Sequence, residues 1–132
     1  CYKTHMLTKE IIEVLKKYPR MKVISESADP RLIDEIHNAG ILIYPVDKSG
    51  RSIIAGIEKM LEMEIYVTER SYNMLSEFRN YVWDKDKDGK PINQPASGQM
   101  DHLCDAVRYY VLGMLLGKIL KPKKIPDNLK IW

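Results

Sequence analysis

The chain has 132 residues, of which 45% are hydrophobic and 30% are charged, and its formal net charge is +3. This length fits one domain, and the composition excludes a disordered tail, a collagen-like repeat and a low-complexity scaffold. The small charge permits a polyanionic partner without requiring one. Two cysteines are too few for a disulfide framework and indicate a reducing compartment. The longest apolar-rich stretch, residues 106–116, contains Arg108 and is shorter than the ~20 residues that span a bilayer, so we expect no membrane partner.

In the first half of the chain, apolar residues at helical spacing alternate with short β-branched runs. A first helix is predicted from about residue 7 up to Pro19, and a strand follows over residues 22–26. A second helix begins at Pro30 and ends at Gly40, because glycine takes the left-handed conformation that closes a helix. A second strand is predicted over residues 41–46.

The second half continues the same alternation. Ser52 is the predicted N-cap of a third helix, and residues 65–68 are predicted as a third strand. A helix follows over about 74–82, although residues 81–83 also fit the start of a strand. The last helix is predicted over about 100–118. Strands alternating with helices of this length are typical of an α/β domain.

The start of the last predicted helix carries the residues best suited to metal chemistry. Asp105 lies four positions after Asp101 and three after His102, so all three can share one helix face. A carboxylate beside an imidazole can bind a divalent cation if further oxygen ligands come from elsewhere. The spacing equally allows a structural interpretation, in which Asp101 caps the helix and Asp105 pairs with Arg108.

Two other places could bind ligands. Glu26 ends the first predicted strand, and ligands of open α/β sheets gather at the carboxyl ends of strands. Asp29, just after it, is a secondary candidate that could instead cap the next helix. Lys48 and Arg51 stand at a helix start, where backbone N–H groups attract phosphate.

Residues 84–89 read Asp-Lys-Asp-Lys-Asp-Gly and match the opening of a calcium loop. The twelfth loop position is Pro95, where such a loop requires a bidentate glutamate. We therefore interpret this segment as a solvated turn, followed by a loop or a short return strand over 90–98.

Four segments together resemble one family. They are residues 25–30, 46–57 and 101–109, and residues 77–83 with the pattern Glu-x-x-x-Tyr-x-Trp. Taken in chain order, these segments resemble the C-terminal nuclease domain of the large terminase subunit of tailed phages, the motor protein that packages viral DNA. The resemblance covers about residues 7–117.

The resemblance implies an RNase H-like fold and a metal-dependent endonuclease of a phage or prophage. It would cut concatemeric double-stranded DNA with two divalent metal ions, Mg²⁺ or Mn²⁺. Glu26 matches a strand-end metal ligand that is usually aspartate, while Asp105 and His102 match the metal-binding residues of the helix. Lys48 would face the scissile phosphate. The implied partners are double-stranded DNA, the terminase ATPase domain of the same full-length chain, the small terminase subunit and the portal protein, in the host-cell cytoplasm.

The family's first catalytic aspartate lies on an opening strand that has no counterpart in this sequence. We therefore expect a single-domain fragment over residues 1–132 with a core at about 7–117 and a basic tail at 119–132. Its RNase H-like fold would lack the first strands of a mixed sheet flanked by helices. On the resemblance we also expect the fragment to lack the ATPase domain and to cleave DNA poorly, because one acidic ligand has no match in it.

Two other interpretations remain open from the sequence. One is another RNase H-like nuclease, such as a resolvase or a transposase. The other is a non-catalytic module that docks DNA or protein, in which the tail lysines Lys121, Lys123 and Lys124 supply the affinity. DNA binding of that second kind would weaken steeply with salt and would not depend on Mg²⁺.

Overall fold

The computed structural model describes residue 3 and residues 5–120, so the tail lysines lie outside the described part of the chain. Within that part, helices alternate with two parallel strands and then with a β-hairpin, and the last helix continues into a π-helical turn, Val111–Leu115. The elements in chain order are α1 (Thr8–Lys16), β1 (Val23–Ser25), α2 (Pro30–Asn38), β2 (Ile43–Pro45), α3 (Ser52–Leu61), α4 (Tyr72–Asn80), β3 (Trp83–Lys85), β4 (Pro91–Pro95) and α5 (His102–Tyr110).

The centre of the fold is the β1–α2–β2 unit. The two strands pair in parallel, with Val23 opposite Ile43. An antiparallel bridge between Val46 and Ile119 continues beyond the end of β2, so parallel and antiparallel pairing meet at this edge. Because β1 and β2 run in the same direction, the residues that follow them emerge at one edge of the sheet.

Local signals place α2 as the sequence predicts. Asp29 Oδ1 accepts a hydrogen bond from Leu32 N at 3.1 Å, which caps the helix start, and Pro30 occupies the first turn. Gly40 has a φ of +85°, the left-handed conformation expected after the helix. The apolar face of α2 packs with strand residues in a core formed by Ile33, Ile36, Ile41 and Ile43.

The β3–β4 hairpin confirms the predicted turn and return strand. Asp86 Oδ1 accepts hydrogen bonds from the backbone N–H groups of Asp88 and Lys90, both at 2.9 Å. Gly89 supplies a φ of +79° in the same turn. Of the two options for residues 81–83, the strand is correct at Trp83, which begins β3, whereas α4 ends at Asn80.

The predicted strand over residues 65–68 is wrong, because residues 64–68 have no regular secondary structure. The side chain of Tyr66 is 88% exposed, and that of Ile65 is 39% exposed. A strand is stable only beside another strand, and in the described part of the chain none pairs with this segment. The run of β-branched and aromatic residues was therefore not sufficient to form a strand.

The last predicted helix ends earlier than residue 118. Gly117 has a φ of +66°, and Leu120 N then donates a hydrogen bond to Pro45 O at 2.8 Å. The chain turns back to pair with the end of β2, so Ile119 and Leu120 belong to the fold and not to a peripheral tail. None of the helices in the described ranges has the length and hydropathy needed to cross a bilayer.

Candidate active site

The carboxyl-end edge of the parallel strands borders a cleft of about 530 Å³. Its walls come from the start of α3, from β4 of the hairpin and from one face of α5. The lining residues are Lys48, Gly50, Arg51, Ser52, Ile53, Ile54, Asn93, Gln94, Pro95, Asp105, Arg108 and Tyr109. The cleft thus contains both basic residues predicted to bind DNA, and one of the predicted metal ligands.

The predicted N-cap of α3 is wrong by one residue. Arg51 occupies the N-cap position, and Ser52 is the first residue of the helix. Ser52 is buried, and its Oγ donates a hydrogen bond to Lys48 O at 2.8 Å. This bond holds the loop that carries Lys48 against the helix start, which fixes the basic edge of the cleft.

Glu26 and Lys48 meet at the sheet edge because each follows one of two paired strands. Lys48 Nζ donates a hydrogen bond to Glu26 Oε1 at 2.6 Å. This bond raises the pKa of Lys48, a direction that partial burial opposes and the Glu26 charge supports. Both side chains are partly exposed, 36% for Lys48 and 50% for Glu26. An ion pair of this exposure contributes about 0–1 kcal/mol, so a ligand can separate the two groups at little cost.

Asp105 pairs with Arg108 one helical turn later. Arg108 donates to Asp105 Oδ1 from Nη2 at 2.7 Å and from Nε at 3.2 Å. The predicted pairing of Asp105 with Arg108 is therefore confirmed. Asp105 nevertheless lines the cleft. Among the described residues, its second oxygen has a hydrogen bond only with Tyr109 Oη, at 3.4 Å.

Arg108 is held in place from several sides. Its side chain is 6% exposed, and its guanidinium lies 4.9 Å from the ring centroid of Tyr109. Its aliphatic stem passes so close to Gly56 on α3 that a Cβ there would lie 2.6 Å from Arg108 Cγ. Glycine at this position lets α3 approach α5, and the resulting contact orients the guanidinium toward Asp105.

Tyr109 lies within the electrostatic field of both acids. Burial raises the pKa of Tyr109, and the charges of Asp105 and Glu26 raise it further, while Arg108 and Lys48 act in the opposite direction. The phenol therefore stays protonated at neutral pH and can donate hydrogen bonds. Neither Tyr109 nor the β4 amides Asn93 and Gln94 were predicted as site residues.

The cleft lining does not include Glu26, although its partner Lys48 lines the cleft, and the remaining predicted residues also lie apart from the lining. His102 begins α5 with an exposed side chain, and no hydrogen bond to it is formed within the described residues. Asp101 occupies the predicted N-cap position of α5, but its side chain forms no capping hydrogen bond there. Asp29 caps α2.

Asp105 in the cleft and Glu26 beside it, bonded to the cleft residue Lys48, offer donors that fit a divalent cation bound by few protein ligands. Glu26 Oε2 has no hydrogen-bond partner among the described residues, and Asp105 Oδ2 has only the long contact with Tyr109. Mg²⁺ characteristically takes one or two carboxylates, and substrate phosphates and waters complete its coordination. Residues 3 and 5–120 contain no group of three or more histidine, cysteine or acidic side chains close enough to bind a metal together.

Comparison with known proteins gives two findings. The family model of the terminase RNase H-like domain matches residues 1–112. The nuclease domain of the large terminase from bacteriophage SPP1, whose crystal structure contains bound Mn, is similar with a TM-score of 0.70 and 26% sequence identity. The match covers 81% of this chain and 63% of that nuclease domain, so this chain spans less than two thirds of it. No curated protein sequence matches significantly. The predicted RNase H-like α/β fold is confirmed.

Proposed function

This chain belongs to the terminase RNase H-like domain family, and on that premise we propose that it is the metal-dependent DNA endonuclease domain of a phage or prophage large terminase. The observation that carries the proposal is the pairing of acids and cations around one cleft. The charges of Glu26, which follows β1, and of Asp105 on α5 both raise the pKa of Tyr109. Lys48 and Arg51 line the adjoining wall of the cleft. The substrate is concatemeric double-stranded DNA.

Glu26 and Asp105 would hold the metal through their less occupied oxygens. His102 does not form a three-residue cluster with them in the described structure, and we propose it as a further ligand on the family resemblance alone. Divalent ions held there, two in the proposed mechanism, would supply activation of a water molecule and stabilisation of the leaving 3′ oxygen. Mn bound to the SPP1 nuclease domain supports Mn²⁺ or Mg²⁺ as the ion. The Arg108 guanidinium orients the Asp105 carboxylate by binding its Oδ1, which leaves Oδ2 toward Tyr109.

The basic side of the cleft binds the DNA backbone. Lys48 is protonated, and its ion pair with Glu26 is weak enough to open when a phosphate approaches. Arg51 stands at the N-cap of α3, where the backbone N–H groups and the helix dipole also favour an anion. In the full-length protein we propose that this domain works beside the terminase ATPase domain, the small subunit and the portal in the host cytoplasm.

A plasmid-nicking assay tests this proposal. We expect the chain to nick supercoiled DNA slowly in Mn²⁺, because among the described residues no third acidic side chain joins Glu26 and Asp105. Asp105→Asn should abolish nicking, since it removes a metal-binding charge. Asp34→Asn, at an exposed position on α2, is the matched control and should nick at the wild-type rate.

Two outcomes would contradict the proposal. One is nicking that persists in EDTA, and the other is nicking by Asp105→Asn at the wild-type rate. A preference for branched over linear DNA would instead favour the resolvase interpretation, and binding that weakens with salt but ignores Mn²⁺ would favour a docking module.

A further inference from the structure

The N-terminus of α5 is capped from another helix. Four N–H groups at a helix start lack partners within the helix and need acceptors from outside it. Asp101, the N-cap residue, supplies no side-chain acceptor. Glu77 on α4 does so instead, because its Oε2 accepts hydrogen bonds from Leu103 N at 2.6 Å and from Cys104 N at 3.1 Å.

Glutamate side chains usually lie on the protein surface, but Glu77 is only 4% exposed. Its Oε2 is used by the two backbone groups, and its Oε1 is buried without a hydrogen-bond partner among the described residues. The side chain forms no ion pair in the described part of the chain. The positive end of the α5 dipole and the two N–H donors are therefore what stabilises this buried acid.

The position of the two bonds connects Glu77 to the site. Leu103 and Cys104 are the two residues that separate His102 from Asp105. A cap from within the same segment would move together with the helix, whereas Glu77 ties the first turn of α5 to α4. Burial raises the pKa of Cys104 to about 11, and the nearby Glu77 charge contributes to this rise.

We infer that Glu77 is a positioning residue for the nuclease reaction, one that fixes the first turn of α5 and thereby the places of His102 and Asp105. The inference rests on the proposed function. Glu77 does not line the cleft, and its oxygens are either bonded to backbone or buried, so it acts through α5 and not on DNA or metal. This role also explains the first residue of the Glu-x-x-x-Tyr-x-Trp segment.

The test compares Glu77→Gln with Glu77→Met. The two replacements have similar volume, but only the glutamine carbonyl can accept the N–H bonds of Leu103 and Cys104. In Glu77→Met we expect the amide hydrogens of these two residues to exchange about 10-fold faster or more. We also expect Mn²⁺ affinity to fall about 10- to 100-fold, as when the partner of a metal ligand is lost. Glu77→Gln should restore both to within about threefold.

Backbone NMR signals supply the readout that does not depend on nuclease activity. The signals of His102 and Asp105 should shift in Glu77→Met and return in Glu77→Gln, while those of the β1–α2–β2 core stay unchanged and report that the variant is folded. Unchanged exchange and unchanged signals in Glu77→Met would overturn the inference. Equal loss of Mn²⁺ affinity in both variants, with α5 unperturbed, would overturn it too, since Glu77 would then act as a ligand. A wild-type chain that binds no Mn²⁺ would contradict the proposed function alone.

Discussion

At the scale of single residues, each acid associated with the cleft has a cation from its own chain. Asp105 and Arg108 are three residues apart on one helix, while Glu26 and Lys48 are joined only by the pairing of two strands. The cations offset the repulsion between the acids. The two ion pairs differ in their exposure to solvent, because the Arg108 side chain is 6% exposed and the Lys48 side chain is 36% exposed. Removing one partner from a buried pair costs about 3–5 kcal/mol, far more than for an exposed one.

Residue spacing predicted part of this site and could not predict the rest. The place of Asp105 on a helix followed from its neighbours, and so did its pairing with Arg108. Tyr109 lay inside a segment already recognised as family-like, so that motif was a usable signal. Asn93 carried no signal, because the position of a hairpin over a cleft depends on packing between distant elements. The capping role of Glu77 also depends on a contact between two helices.

A titration prediction belongs to this scale. Burial raises the pKa of Cys104 from 9.0 to about 11, and burial likewise raises that of Tyr81 from 10.0 to about 12. The thiol of the unfolded chain therefore loses its proton at lower pH than the native thiol. We expect the free energy of unfolding to be fully retained below pH 9 and to fall by up to about 3 kcal/mol toward pH 11. Urea unfolding at several alkaline pH values measures this.

Cys104→Ala supplies the control for that titration. Without the thiol, the fall between about pH 9 and pH 11 should be shallower, leaving the contribution of Tyr81. Identical pH dependence in Cys104→Ala and in the wild-type chain would show that the buried thiol does not contribute.

At the scale of elements, local sequence signals explain the helices and strands that were predicted correctly, and tertiary packing explains those that were not. The β1–α2–β2 unit was predictable because Asp29, Pro30 and Gly40 mark the helix ends in the sequence itself. The incorrect strand at 65–68 had the residue types of a strand, but no strand in the described part of the chain pairs with it. The early end of α5 and its π-helical turn also depend on packing, since a Cβ on Gly113 would lie 3.0 Å from Ile24 of β1.

The contact between α3 and α5 gives a prediction at this scale. Gly56→Ala improves helix propensity by about 1 kcal/mol, yet the new Cβ would lie 2.6 Å from Arg108 Cγ and 3.3 Å from Leu112 Cγ. Overpacking of this kind costs about 1–3 kcal/mol. We therefore expect a net loss of about 1 kcal/mol in the free energy of unfolding, measured by urea denaturation.

Glu58→Ala is the control on the same helix, because its side chain is exposed and the change affects propensity without overpacking. It should leave the free energy of unfolding within about 0.5 kcal/mol of wild type. A Gly56→Ala chain as stable as wild type, or more stable, would mean that α3 and α5 can separate freely and that Gly56 does not set the place of Arg108.

At the scale of the whole molecule, the fold joins residues that the sequence keeps far apart. The parallel sheet brings Glu26 and Lys48 to one edge, and α5 brings Asp105 and Tyr109 to the same cleft. This is why the candidate site could be anticipated only through the order of several segments, and why the family match is informative. The chain thus places an acid-and-cation cleft within a domain of the terminase RNase H-like family.

Calorimetric titration with Mn²⁺ tests the central claim most directly, since it measures the metal site without requiring turnover. The wild-type chain should bind Mn²⁺, Asp34→Asn should bind it equally well, and Asp105→Asn should bind it at least about 10-fold more weakly because one carboxylate ligand is lost. Binding by Asp105→Asn with wild-type affinity would contradict the account.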